Sequence, residues 1–125
     1  MNNKFAVAIN CIDCRVQVPV IEWIKSNYNV EYVDMVTEPG PVKILSEGKS
    51  TVVISSIKDR VELSKKKHNT NIVAVVAHYD CASNVSSSES QAIQLKTSVN
   101  VIESWCLDLK VIGLWVDEAQ NISQV

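Results

Sequence analysis

Two unbroken apolar runs limit the folds available to this chain more than any other feature of its sequence. The runs cover residues 5–9 and 72–77, and neither alternates with polar side chains. A strand that is apolar along its whole length is typical of a parallel sheet covered on both faces. We therefore predict two central strands of such a sheet at these positions.

Weaker strand candidates and helical stretches surround the two runs. Residues 30–36 and 110–116 predict outer strands. A first helix is expected after Pro19, because proline suits the first helical turn. A second is predicted over residues 51–67, where apolar side chains recur every four positions and a lysine run lies at the end that favours cations.

A third helix is predicted over residues 88–106. Ser88 and Gln91 have the spacing of a capping box at its start. One apolar stripe is expected to face the core and consists of Ala92, Leu95, Val99, Ile102 and Cys106.

The alternation of strands and helices predicts an α/β fold with three layers, α/β/α. We expect a mainly parallel sheet of about four strands in the order 2-1-3-4. Right-handed crossovers then place the first and second helices on opposite faces. The gap at the carboxyl ends of strands 1 and 3 is the crevice where such sheets bind ligands.

Composition narrows the class of protein further. The chain has 125 residues, of which 46% are hydrophobic, so residues 1–125 are predicted to form a single domain rather than a disordered segment. A net charge of −2 gives no basic patch of the nucleic-acid type. No apolar stretch approaches the ~18 residues of a membrane span. The first residues lack the order of a signal peptide, so a cytoplasmic location is expected.

Three metal-binding side chains are predicted to meet at the crevice. Cys11 follows the first apolar run, His78 directly follows the second, and Cys81 comes three residues later. Cysteine and histidine are ligands that zinc prefers, and three protein ligands leave a fourth position open, as in catalytic zinc sites. Cys11, His78 and Cys81 are therefore candidate Zn²⁺ ligands.

Asp13 and Arg15 share the loop of Cys11 and form a candidate catalytic pair. A carboxylate beside an open zinc site can accept a hydrogen bond from zinc-bound hydroxide and orient it. An arginine can hold that carboxylate through paired hydrogen bonds and keep it off the metal.

These residues resemble the motifs of the β-class carbonic anhydrases. The segment Cys-Ile-Asp-Cys-Arg at residues 11–15 is similar to the family's Cys-x-Asp-x-Arg motif, and residues 75–81 are similar to its apolar strand followed by His-x-x-Cys. The resemblance implies that Cys11, His78 and Cys81 bind zinc. It also implies that Asp13 and Arg15 position the zinc hydroxide that attacks CO2 to give bicarbonate.

The chain departs from the family pattern at three points. Ala82 stands where the family usually has glycine after His-x-x-Cys, and residues 37–40 keep only Gly40 of Arg-Asn-Ala-Gly. The sequence also starts at the first strand, without the N-terminal helices that embrace a partner subunit in the family.

We expect a homodimer for two reasons. The edge strands and apolar surfaces of so small an α/β domain are covered by few other residues. The family also builds its active-site cleft between subunits.

Other readings of the same residues stay open at this point. Cys11, Cys14, His78 and Cys81 together would make a closed and inert zinc site. A degenerate relative would likewise be a non-catalytic zinc-binding domain. Relatives of this fold also hydrolyse other small linear molecules such as carbon disulfide. Cys11 and Cys14 alone would make a dithiol redox pair.

Overall fold

The structure, a computed structural model, describes residues 4–125. Seven of its elements correspond to the predicted strands and helices, and a short 3-10 helix, one further helix and one further strand accompany them. In chain order they are β1 (Phe5–Cys11), the 3-10 helix (Cys14–Val16), α1 (Gln17–Tyr28), β2 (Tyr32–Glu38), α2 (Pro41–Glu47), α3 (Thr51–His68), β3 (Ile72–His78), α4 (Ser88–Glu103), β4 (Lys110–Val116) and β5 (Ile122–Gln124).

The sheet confirms the predicted α/β architecture. Its strand order is β2-β1-β3-β4-β5. The first four strands in that order are parallel, and β5 pairs antiparallel with β4. The turn into β5 is held by the carboxylate of Asp117, which accepts hydrogen bonds from the backbone N–H groups of Ala119 and Asn121, each at 2.9 Å.

Both faces of the central strands are covered, which explains their continuous apolar sequence. Alternate residues of β1 and β3 contribute to two separate cores. One core contains Val20 and Ile24 of α1, and the other contains Ile57 and Val61 of α3. The first and second predicted helices therefore lie on opposite faces, as right-handed crossovers require.

An asparagine ends each of two helices: α1, which connects β1 to β2, and α3, which leads into β3. The residue after α1 is Asn29 and the residue after α3 is Asn69, and both adopt the left-handed conformation, with φ of 51° and 54°. Asparagine tolerates this conformation better than other residues with a side chain, so it ends a helix where glycine is absent.

The predicted start and stripe of the third helix were partly wrong. The N-cap of α4 is Ser87, whose hydroxyl accepts from the Ser90 backbone N–H at 3.1 Å, rather than Ser88 paired with Gln91. The helix ends at Glu103, and Cys106 lies beyond it in an exposed loop with φ of 54°. Four positions of α4 are buried: Gln91, Leu95, Ser98 and Ile102. Ala92 and Cys106 are exposed instead of forming part of the core stripe.

The helix α2 was not predicted from the sequence. It begins at Pro41, directly after Gly40, and it buries Val42 and Leu45 against the core of the α3 face. In the part of the chain that the structure describes, no helix combines the length and hydrophobicity that a membrane crossing needs.

Candidate metal centre

Cys11, His78 and Cys81 meet at the carboxyl edge of the sheet. Cys11 is the last residue of β1 and His78 is the last residue of β3, and these two strands are neighbours. One ligand atom from each of the three side chains lies within 4.8 Å of the other two. The two sulfur atoms are 3.9 Å apart. The predicted convergence of the three side chains is therefore present in the structure, and all three residues are buried.

The imidazole of His78 is oriented by its own backbone neighbourhood. Its Nδ1 lies 2.8 Å from the carbonyl oxygen of Tyr79, and a carbonyl oxygen can only accept a hydrogen bond. Nε2 is buried and has no hydrogen-bond partner. A ring nitrogen that donates to a backbone carbonyl, with the other nitrogen left free, is the arrangement that histidine ligands adopt in metal sites.

The donor set fits a zinc ion. Two thiolates about 2.3 Å from a tetrahedral zinc would be separated by about 3.8 Å, close to the 3.9 Å between the sulfur atoms of Cys11 and Cys81. An unpartnered buried nitrogen is costly, and a cation would satisfy Nε2 of His78. Three protein ligands would leave a fourth coordination position for a small molecule.

Burial and mutual contacts act in opposite directions on the pKa values of the candidate ligands. Burial raises the pKa of Cys11, but the His78 imidazole and the backbone of Gly40 and Asp13 outweigh it, so this pKa is lowered to about 7. Burial lowers the pKa of His78, but Cys11 and the Tyr79 carbonyl reverse the effect, so this pKa is raised. Burial raises the pKa of Cys81. Of these two thiols, Cys11 is therefore the one that ionises more readily.

Asp13 and Arg15 form a close ion pair beside the cluster. Nε of Arg15 lies 3.1 Å from both carboxylate oxygens of Asp13, and Nη2 lies 2.6 Å from Oδ2. Asp13 also caps the 3-10 helix by accepting from the Arg15 backbone N–H at 3.0 Å. These hydrogen bonds lower the pKa of Asp13 to about 2. The carboxylate is therefore ionised at neutral pH.

Arg15 also contacts the loop that carries the other two candidate ligands. Its Nη1 lies 3.6 Å from the carboxylate of Asp80, and its Nη2 lies 3.4 Å from the Asp80 carbonyl oxygen. Asp80 stands between His78 and Cys81 in the sequence. The guanidinium therefore spans the two loops that meet at the cluster.

Comparisons with known proteins agree with this architecture. A family model described as "Putative carbonic anhydrase" matches residues 1–125. The chain belongs to this family. The β-carbonic anhydrase CafA of the fungal pathogen Aspergillus fumigatus has a similar structure, with a TM-score of 0.51 and 12% identity over 100% of this chain and 76% of that one. At this identity the likeness shows the fold alone. No curated protein matches the chain.

Cys14 lies outside the ligand cluster of this carbonic anhydrase family member. It is exposed at the start of the 3-10 helix. Within residues 4–125, the group of side chains close enough to share a metal ion contains Cys11, His78 and Cys81 without Cys14. The cysteines are all free thiols in the structure. This arrangement does not provide the four ligands of a closed site.

Gly40 contributes to the site and was not recognised as a contributor from its sequence. It has φ of 62°, and a Cβ at this position would lie 3.2 Å from the carbonyl oxygen of Ser83, in the turn after Cys81. Its backbone also lowers the pKa of Cys11. The signal for this role is a glycine between two prolines, two residues after the end of β2.

Two side-chain amides around Cys11 were also missed. Asn10 is fully buried as the penultimate residue of β1, and Gln17 is the first residue of α1. Their only signal in the sequence is an amide side chain on either side of the motif at residues 11–15. Both hold the backbone of the loop that carries Cys11.

Proposed function

We propose that this chain is a zinc-dependent carbonic anhydrase-like hydro-lyase that converts CO2 and water to bicarbonate and a proton. Cys11, His78 and Cys81 would hold the zinc ion. The observation that carries the proposal is the buried pair of sulfur atoms facing an unpartnered Nε2, with an ionised carboxylate fixed beside them. Membership of the carbonic anhydrase family supports the same activity.

The chemistry of the metal complements what the protein provides. Zinc held by such ligands supplies a Lewis acid and lowers the pKa of water toward neutrality. The protein contributes an enclosed set of two thiols and one imidazole, whose ring orientation is fixed by the Tyr79 carbonyl. Fixing the ring in advance removes a reorganisation cost from metal binding.

Asp13 would orient the reacting water through a hydrogen bond that it accepts. Because its pKa is about 2, its oxygens carry no proton at neutral pH and cannot donate. Arg15 holds both carboxylate oxygens, so the carboxylate cannot rotate freely toward the thiols. Asp13 and Arg15 are therefore the proposed catalytic pair.

A zinc-binding domain without CO2 hydration is the second candidate. It is favoured by Ala82 and by residues 37–39, which depart from the sequence that β-class enzymes usually have beside the metal. A related possibility is hydrolysis of another small linear substrate, such as carbon disulfide. Both alternatives use the same three ligands, so they differ from the main proposal in the reaction, absent in one case and on another substrate in the other, rather than in metal binding.

We further propose that the chain forms a homodimer through the carboxyl edge of the sheet. Four large apolar side chains in the loops and first helical turn at this edge are more than 45% exposed: Ile12, Val18, Tyr79 and Val85. Burial of such side chains against a second copy would remove them from water. A partner at this edge would also enclose the candidate metal centre.

CO2 hydration by the zinc-loaded protein tests the main proposal directly. We expect proton release well above the uncatalysed rate in a stopped-flow assay with a pH indicator. Full zinc occupancy with only the background rate would overturn CO2 hydration. The same preparation should then be assayed with carbon disulfide, since activity there would support the alternative substrate.

A further inference from the structure

The loop from Cys11 to Val16 is held at both ends by one buried side chain. Asn10 is 0% exposed. Its Oδ1 accepts a hydrogen bond from the Cys11 backbone N–H at 2.8 Å, and its Nδ2 donates to the carbonyl oxygen of Val16 at 3.1 Å. A side-chain amide carries an acceptor and a donor on separate atoms, so Asn10 can bind both backbone groups at once.

A second amide completes the support of the Cys11 backbone. Nε2 of Gln17 donates to the carbonyl oxygens of Cys11 and Ile12, at 3.3 and 3.0 Å. The backbone N–H of Cys11 is therefore held by Asn10, and its backbone carbonyl is held by Gln17. Rotation of the Cys11 backbone would therefore break at least one of these hydrogen bonds.

The same loop contains the candidate catalytic pair. Asp13 and Arg15 both lie between the two points that Asn10 connects, which are Cys11 and Val16. A shift at either end of so short a loop must therefore be shared by the metal ligand and by the ion pair. Groups that orient metal ligands typically change metal affinity by about 10- to 100-fold when they are removed.

We propose that Asn10 is a positioning residue, supported by Gln17, that fixes Cys11 and the Asp13–Arg15 pair as one unit. The inference rests on the proposed function, because zinc is taken as the ion that Cys11 binds. Asn10 binds the backbone N–H of Cys11 rather than its thiol. It acts through the backbone of its neighbour, and it sets the affinity for zinc and the order of the ion pair together.

The variant Asn10→Leu tests this coupling, because leucine has a similar volume but cannot form either hydrogen bond. We expect its zinc affinity, measured by competition with a chelator, to fall by about 10- to 100-fold. We also expect the Arg15 side-chain Nε–H signal in NMR spectra to exchange faster with solvent. If Asn10→Leu does not fold, Gln17→Ala carries the test, since Gln17 lies nearer the surface and loses only the bonds to Cys11 and Ile12.

Thr70→Val is the matched control. Thr70 is also 0% exposed, and its hydroxyl is 2.6 Å from that of Ser64, at the opposite end of the sheet. This variant should lose stability while it keeps the wild-type zinc affinity and Arg15 signal, so a general loss of stability is separated from positioning. Wild-type zinc affinity and an unchanged Arg15 signal in a folded Asn10→Leu or Gln17→Ala variant would overturn the proposal.

A failure of the proposed function can be distinguished from a failure of the role proposed for Asn10. Wild-type protein that bound no zinc would contradict the metal assignment. The exchange rate of the Arg15 Nε–H requires no metal and would still decide whether Asn10 orders the ion pair.

Discussion

The sulfur atoms of Cys11 and Cys81 lie 3.9 Å apart, although 70 residues separate them in the sequence. Two adjacent parallel strands produce this proximity, because β1 ends at Cys11 and β3 ends three residues before Cys81. Nε2 of His78, buried and unpartnered, completes the cluster. The relationship therefore depends on strand order rather than on any local motif.

The first prediction concerns metal content. Protein purified without chelators should contain about one zinc ion per chain, and Cys11→Ser or Cys81→Ser should lose most of it, because a hydroxyl replaces an ionisable thiol. Elemental analysis measures the content. Cys14→Ser and Cys106→Ser are matched controls, since both thiols are exposed and lie outside the cluster.

Two results would contradict this prediction, and each has a different consequence for the site. Full zinc occupancy in Cys11→Ser and Cys81→Ser would make the ligand assignment wrong. Loss of most zinc in Cys14→Ser would support the closed four-ligand site and remove the position at which substrate could react.

A second prediction concerns the glycine beside the cluster. Gly40→Ala should destabilise the protein by more than the roughly 1 kcal/mol that a left-handed alanine costs, because its Cβ would also lie 3.2 Å from the Ser83 carbonyl oxygen. Gly48→Ala is the control, with φ of 70° and nothing within 4 Å of the added Cβ. Denaturant unfolding measures both changes. Equal losses in the two variants would show that the contact with Ser83 has no energetic effect.

The elements that could be predicted from the sequence are those marked by a pattern of neighbouring residues along the chain. The apolar runs of β1 and β3 identified the centre of the sheet, and the residues at their ends identified Cys11 and His78. Strand direction alone then brings these residues to one edge. This part of the site could be predicted because parallel strands share a carboxyl edge.

Other features depend on contacts between distant segments and could not be predicted in the same way. The role of Asn10 depends on the carbonyl of Val16, and that of Gly40 depends on the turn at Ser83. The stripe of α4 was extended to Cys106 because hydrophobic periodicity does not show where a helix ends. The helix α2, with seven residues, and β5, with three, are too short for a periodic signal.

A third prediction concerns association. We expect a homodimer by sedimentation at micromolar concentrations, and Val85→Glu should weaken it by about tenfold or more, because a charge in an apolar contact costs at least about 1.4 kcal/mol. Val85 is 91% exposed in the structure. Leu63→Glu is the control, since Leu63 is exposed on α3 away from the carboxyl edge of the sheet. A monomeric wild type would contradict the dimer, and equal weakening by both variants would contradict the chosen surface.

The last prediction concerns Asp13 and Arg15. Asp13→Asn keeps the shape of the side chain but adds N–H donors, so it can no longer present only acceptors to the reacting water. We expect CO2 hydration to fall by about ten- to a thousandfold, with zinc retained, as for other lost orienting groups. Arg15→Ala should cause a similar loss, because it removes the hydrogen bonds that fix both carboxylate oxygens. Asp108→Asn is the control: Asp108 lies in a loop outside the cluster with φ of 57°, a conformation that asparagine tolerates. Stopped-flow rates on zinc-loaded samples compare wild type with the three variants.

Two results would contradict this assignment of Asp13 and Arg15. Equal background rates for all four proteins at full zinc occupancy would remove CO2 hydration and leave the non-catalytic or other-substrate function. Full activity in Asp13→Asn would leave catalysis intact and remove Asp13 from the mechanism.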